Sequence, residues 1–283
     1  MRNNPPMYSL KTIKYGREKL SGNQPLLIVE GYTDAIVYKA LNNGVRTILP
    51  ITEIIGEAGK NPIIEVSNEL PGQFFIVDDD LESIIDEGYR ESLGPNVLTT
   101  WMNNDIECWC YLALQNSSNK RGINGLTSLN LLESDINLAL NSARKFGLLR
   151  IICKTMMSND VNTRWKLDFN LFKLKTFQNG RMYSNDVVKE LLDSQSRDTV
   201  SLNRWHEKLR KFENKYANIE GIRLLTGHDL TFFLHYFSNT RMNKPINNES
   251  FKVFEKNLRF SSLRGNKSGW DVFLSGKIGE LLS

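Results

Sequence analysis

The chain has 283 residues, 24% charged and 40% hydrophobic, enough for one large domain or two small ones with a real core. No apolar stretch approaches the ~20 residues needed to cross a bilayer, and the opening MRNNPPMYSL lacks the apolar centre of a secretory leader, so a cytoplasmic protein is expected. The net charge of +4 is unevenly spread: residues 1–120 hold 10 Lys+Arg against 16 Asp+Glu, residues 121–240 hold 18 against 12, and residues 241–283 hold 8 against 4.

An acidic first part joined to a basic remainder suits a metal site beside a polyanion clamp, although basic residues that only solvate helix faces would give the same count. The three cysteines, Cys108, Cys110 and Cys153, make no paired CxxC set. They exclude a zinc ribbon and predict reduced thiols, with a Cys108–Cys110 redox pair as the alternative.

Residues 1–24 are polar, contain Pro5 and Pro6, and read as an irregular lead-in. LLIV, 26–29, is a short, fully apolar run of the kind a parallel strand shows when both sheet faces are covered. Thr33 can cap a helix over about 34–42, with Asp34 in its first turn and Asn43–Gly44 at its end. RTILP reads as a second strand, stopped by Pro50. Residues 51–72 read ambiguously, and the Gly, Asn and Pro residues between 56 and 62 suggest a loop. FFIV, 74–77, is the next strand; a helical stretch follows from about 81, Pro95 breaks it, and NVLTT is a fourth strand. NNDIECWCYLAL, 103–114, opens with capping residues and is apolar enough for a buried helix. This alternation predicts an α/β domain with a mostly parallel sheet flanked by helices over 25–115.

The polar stretch QNSSNKRGING, 115–125, is the expected boundary. Residues 116–283 then read as a mainly helical, basic region for substrate or partner, with helices near 128–147, 186–195, 203–217, 229–238 and 249–258. WKLDFNLFKLKTF, 165–177, alternates as a strand does.

Ligands of open α/β sheets bind at the carboxyl ends of the strands. Glu30 and Asp78 fall at such ends; Asp34 lies one helical turn after Glu30, and Asp80 lies two residues past Asp78, with Asp79 pointing elsewhere. Asp105 and Glu107 open the helix after the fourth strand, near the same edge. So many carboxylates repel one another unless a cation neutralises them, and all-oxygen donors select Mg²⁺ or Mn²⁺. Singly, each acid has a plain explanation. Asp34 can complement a helix N-terminus, Asp78 to Asp80 can form a turn, and Asp105 can be an N-cap with Glu107 solvated beside it. Three groups at successive strand ends point instead to a shared site.

The order Glu30-Gly31-Tyr32-Thr33-Asp34, then Asp78-Asp79-Asp80 after an apolar strand, resembles the Toprim domain of topoisomerases, bacterial primases, recombination-repair proteins and OLD-family nucleases. Asp105-Ile106-Glu107 is similar to the additional acidic element of the OLD-type nucleases, which helps to hold a second metal and is often Ser-x-Glu; Asp105 departs from it. WKLDFNLFK and LTGHDLTFFL resemble later signatures of a stand-alone Toprim family, whose members are the effector nucleases of the PARIS anti-phage system beside a separate ABC-type ATPase.

The resemblance implies a Toprim fold and cleavage of phosphodiesters in tRNA, other RNA or DNA. It implies metal on Glu30, Asp78 and Asp80, the catalytic residues, with Asp34 and Glu107 completing a second site. Two metals roughly 4 Å apart would activate a water and stabilise the leaving oxygen. It further implies an ATPase partner that restrains the nuclease, contacted through the region after residue 120, and a homodimer when active. OLD-type nucleases also use a downstream lysine, for which Lys166, Lys173 and Lys175 are candidates.

Other motifs are absent. GEAGK, 56–60, is one residue short of a P-loop and follows no clear strand, so an ATPase has to come from a partner. The missing zinc-binding set argues against a primase, and the chain is too short for strand-passage domains. His228, beside Asp229, is either an acid–base or phosphate-positioning group, or part of a helix cap with a buried hydrogen bond. The aromatics of DLTFFLHYF read as helix core. Two other functions stay open. One is a phosphotransferase or receiver-like domain with Asp78 as the phosphorylated nucleophile, although Asp78-Asp79-Asp80-Leu81-Glu82 lacks the Thr or Val of D-x-D-x-[TV]. The other is a Toprim-shaped regulatory subunit without chemistry.

Overall fold

The structure is a computed structural model that describes residues 25–42, 46–100, 105–117, 125–159, 165–170, 172, 187–195, 201–264 and 267–283. The lead-in 1–24, Asn43–Gly44, Asn103–Asn104, Lys173 and Lys175 lie outside them. The chain divides into two units, one of residues 1–117 and 262–283, the other of 118–261. The first boundary falls within the expected polar stretch. The last 22 residues, expected as part of the helical region, instead belong to the sheet unit.

The first unit is α/β. Strands β1 (Leu27–Val29), β2 (Ile48–Pro50), β3 (Phe74–Val77) and β4 (Val97–Thr99) form one all-parallel sheet in the order β2-β1-β3-β4. Helices α1 (Tyr32–Leu41), α2 (Thr52–Ile55), α3 (Lys60–Glu69), α4 (Glu82–Ile85), α5 (Tyr89–Ser92) and α6 (Ile106–Asn116) connect and follow the strands. One core joins Leu26, Ile28, Leu49, Phe75, Val77 and Val97 of the strand segments to Ile54 of α2 and Ile63 and Val66 of α3. The alternate strand positions Leu27, Val29 and Ile76 are buried as well. Both faces of the sheet are therefore covered, which is why LLIV and FFIV show no polar alternation.

The stretch 51–72, ambiguous in the sequence, contains α2 and α3, and 56–59 of the expected loop lies between them. Its glycines cap helices instead of breaking them. Gly56 ends α2 in the left-handed region (φ 79) and Gly59 precedes α3 (φ 110). Pro62 sits in the first turn of α3, where its missing N–H costs nothing.

The C-terminal return supplies a short 3₁₀ turn (Lys267–Trp270) and helices α12 (Asp271–Leu274) and α13 (Lys277–Leu282). The 3₁₀ turn packs on α6 so closely that a Cβ on Gly269 would stand 2.3 Å from the Ala113 carbonyl oxygen. Phe273 lies against the rings of Trp109, Trp270 and Tyr38, at centroid separations of 4.9, 5.5 and 6.1 Å.

The second unit is helical, with α7 (Glu133–Asn159), α8 (Val187–Gln195), α9 (Leu202–Lys215), α10 (Gly227–Arg241) and α11 (Asn248–Arg264), whose last turn belongs to the first unit. Helix α10 is buried from Asp229 to Asn239 and packs along α7. DLTFFLHYF is thus helix core. Helix α7 starts later and runs further than expected. Gly147, within it, lets the chain at Leu224 approach, since a Cβ there would come within 1.6 Å of the Leu224 carbonyl oxygen.

The expected strand at 165–177 is not formed over 165–170, which is irregular. Trp165 and Leu167 are buried and Lys166 and Asp168 exposed, so the alternation is real. No strand among the described residues pairs with it: the Gln195 side chain instead accepts from the Asp168 N–H at 2.7 Å and donates to the Asp168 carbonyl at 2.8 Å.

Candidate active site at the carboxyl edge of the sheet

The chain leaves each inner strand on an acid. Glu30 directly follows β1, Asp78 directly follows β3, and these strands are neighbours in the sheet. Their tips meet: the Asp78 backbone N–H donates to Glu30 Oε1 at 2.7 Å. Asp34, in the first turn of α1, folds back so that its Oδ2 accepts the Gly31 N–H at 2.9 Å. That bond does the capping assigned to Thr33, which is exposed inside the first turn. A Cβ on Gly31 would stand 3.1 Å from the same carboxylate oxygen, so a glycine there leaves room for the fold-back.

After β3 the backbone turns through two residues in the left-handed region, Asp80 (φ 50) and Leu81 (φ 70). Such a conformation costs a non-glycine residue about 1–2 kcal/mol, and burial of the Leu81 side chain offsets it. The turn fans the three aspartates apart. Asp79 points inward, buried, where Oδ1 accepts the Ser83 N–H at 3.0 Å and Oδ2 lies 3.6 Å from Arg90 Nη2. Asp80 faces the other way, 2.8 Å from Lys60 Nζ.

Thr100, just past β4, joins the turn to its neighbour: its hydroxyl donates to Asp78 Oδ1 and accepts the Asp79 N–H, both at 3.3 Å. Asp105 is the N-cap of α6, accepting the Cys108 N–H at 3.0 Å. Glu107, for which a solvated position was one expectation, is buried in the same first turn.

The electrostatics tie these groups together. Burial pushes the Glu30 carboxyl up to about 7, with the Asp78 N–H and Lys60 pulling the other way and Asp80 and Asp34 adding to the rise. Burial also raises Asp78 well above the ordinary carboxylate range, and the charges of Asp105, Asp34, Glu107 and Glu30 raise it further. Burial acts to lower the Lys60 ammonium, but Asp80 outweighs it and the net shift is upward. The edge therefore holds mutually repelling carboxylates with one ammonium among them. The donor chemistry, oxygen only, fits a hard divalent cation. As the side chains stand, no three acids, histidines or cysteines among the described residues converge closely enough to grip one. Each of Glu30, Asp34 and Asp105 has an oxygen on a backbone amide, and Asp80 is on Lys60.

Lys60 and Thr100 are absent from the sequence-derived site. Thr100 ends an apolar strand, as Glu30 and Asp78 do, and that pattern could have found it. Lys60 opens α3, the second helix after β2, but its Gly-rich approach reads as loop. Of the candidate lysines, Lys166 is exposed in the irregular segment of the second unit. His228 is exposed, edge-on to Phe251 at 5.3 Å, and has no buried hydrogen-bonding role. Its neighbour Asp229 is fully buried and takes both prongs of Arg150, at 2.7 and 2.8 Å, while Thr226 caps α10. All three cysteines are free and buried, with Cys108 pushed up by burial and Asp105, and Cys153 pushed up to about 11 chiefly by burial, which disfavours the reactive thiolate in these two. No helix among the described residues is long and apolar enough to cross a membrane. No family model, curated protein or solved structure matches the chain, and the geometry of this edge carries the functional reading.

Proposed function

We propose that the chain is a Toprim-type, divalent-metal-dependent nuclease that hydrolyses phosphodiesters in RNA, tRNA among them, or in DNA. The observation that carries this reading is the bond from the Asp78 N–H to Glu30 Oε1, which brings two acidic strand tips 48 residues apart onto one spot. A structural acid would not need a second acid beside it in a half-buried place, whereas a cation site would. Glu30, Asp78 and Asp80 would hold Mg²⁺ or Mn²⁺, with Asp34 and Glu107 completing a second position. A cation there would supply Lewis acidity and an activated water. Thr100 orients the Asp78 carboxylate, and Asp79 anchors the turn that presents Asp78 and Asp80.

The exposed basic residues Arg204, Arg210, Lys211 and Lys215 on α9 support a role for the second unit in holding a phosphate backbone. Nothing in these residues reads bases, so RNA and DNA are equal candidates. The resemblance to anti-phage effectors adds restraint by a partner ATPase and activity as a homodimer.

Cleavage of total tRNA and of plasmid DNA by the purified chain, alone and with any ATPase encoded beside it, tests the reading. Metal-dependent products from either substrate support it. Intact substrates under every condition contradict it.

One observation favours a second reading, in which Asp78 is phosphorylated. The Thr100 hydroxyl already sits on Asp78 Oδ1, where a phosphoryl group on that aspartate would be received. Both readings need a cation on the edge. Only the second predicts a phospho-aspartate that can be trapped with acetyl phosphate.

A further inference from the structure

Lys60 is the first residue of α3, on the edge where β1 and β3 end in acids. Its ammonium is 2.8 Å from Asp80 Oδ2, its side chain is only 16% exposed, and it lies 5.8 Å from the centre of the Tyr89 ring. A lysine on a free surface would lose entropy in such a place and gain little. Here the carboxylate, the aromatic face and the nearby Glu30 hold it. Asp80, its partner, stands on a strained backbone (φ 50) that turns the carboxylate toward it. Arg90 serves Asp79 in the same turn, so Lys60 is directed to the aspartate that belongs to the metal set.

We propose that Lys60 is a tethered counter-ion that occupies Asp80 while nucleic acid is absent and passes to a phosphate oxygen of the substrate, freeing Asp80 for the metal. The inference rests on the metal-dependent nuclease reading and adds a control to it. The four-carbon stem lets a point charge swing between two oxygen anions, which a guanidinium fork does less readily. A carboxylate already paired with an ammonium binds a dication at the expense of that pair. An arriving phosphodiester supplies a replacement anion, so substrate and metal load together. The edge then stays poorly metallated until a phosphate backbone reaches it.

The test is Mn²⁺ titration of the full chain, followed by the electron paramagnetic resonance signal of free Mn²⁺. It is run without nucleic acid and then with a phosphorothioate oligonucleotide. Without nucleic acid, Lys60→Met binds Mn²⁺ about tenfold or more tighter than wild type, because a positive charge leaves the edge; Lys60→Arg stays close to wild type. The oligonucleotide tightens Mn²⁺ binding by the wild type and leaves Lys60→Met unchanged. Lys60→Gln, uncharged but still able to donate to Asp80, stands in should the methionine variant fail to fold. Equal or weaker Mn²⁺ binding by the uncharged variants, or no tightening of the wild type by the oligonucleotide, overturns the counter-ion role and leaves the metal reading intact. Absence of Mn²⁺ binding in every variant overturns both.

Discussion

Glu30 is an acid whose environment works against its charge. Its folded value of about 7 stands above the ordinary glutamate value of 4.5. Such a group supports the fold most fully below the lower value, and the support is lost as pH rises through the upper one. Metal-free protein therefore melts at a falling temperature as pH climbs from 4.5 to about 7, and Asp78, shifted in the same direction, adds to the trend. Glu30→Gln flattens that slope and raises the neutral-pH melting temperature in EDTA by a few degrees, as a gain of about 1 kcal/mol does in a domain of this size. Thermal melts across this pH range check both statements; an unchanged slope would show that Glu30 does not titrate there. Thr100 makes a separate case. Thr100→Val removes the hydroxyl from Asp78 and from the Asp79 N–H, and should lower cleavage by roughly 10–100-fold, as loss of a residue that orients a ligand does.

The strand tips are legible in the sequence because parallel strands covered on both faces must be short apolar runs, and a carboxylate closing such a run stands out. Glu30 and Asp78 are placed by that rule, and Asp34 and the N-cap Asp105 by their positions at helix starts. Lys60 is not, because Gly56, Gly59 and Pro62 carry two meanings, and only tertiary packing decides whether they break a helix or cap one. Gly147 is a similar case. It suggests the end of a helix near 147, yet α7 continues through it, and the missing Cβ serves the approach of Leu224. Gly147→Ala should cost about 3 kcal/mol or more, since the clash is with backbone that cannot swing aside; urea unfolding measures it, and a wild-type midpoint would refute the packing described. The segment 165–170 shows the converse. Its alternation reports burial correctly, but a strand also needs a neighbouring strand, and Gln195 supplies the hydrogen bonds instead.

The two units differ in charge, with an acidic sheet edge in one and exposed basic residues on α9 in the other. The chain returns to the first unit at its end, and a sequence read by texture cannot see that the turn Lys267–Trp270 and Phe273 pack on α6. Deletion of residues 262–283 would strip Phe273 from Tyr38 and Trp109 and remove Trp270, which packs on Phe273. The truncated chain should lose the cooperative melt of the sheet unit, since uncovering even one large aromatic costs about 3–5 kcal/mol; scanning calorimetry of the full and shortened chains would reveal this. The central claim, that converging acidic strand tips hold a metal for phosphodiester hydrolysis, is tested most directly by one comparison. Wild type, Glu30→Ala and Asp78→Ala are incubated with labelled tRNA and plasmid DNA in Mg²⁺ or Mn²⁺, with folding of each confirmed by circular dichroism. The account predicts cleavage by wild type that EDTA abolishes. It predicts a loss in both variants greater than the ~10–100-fold expected of a residue that only supports a ligand. Cleavage by either folded variant at the wild-type rate would contradict it.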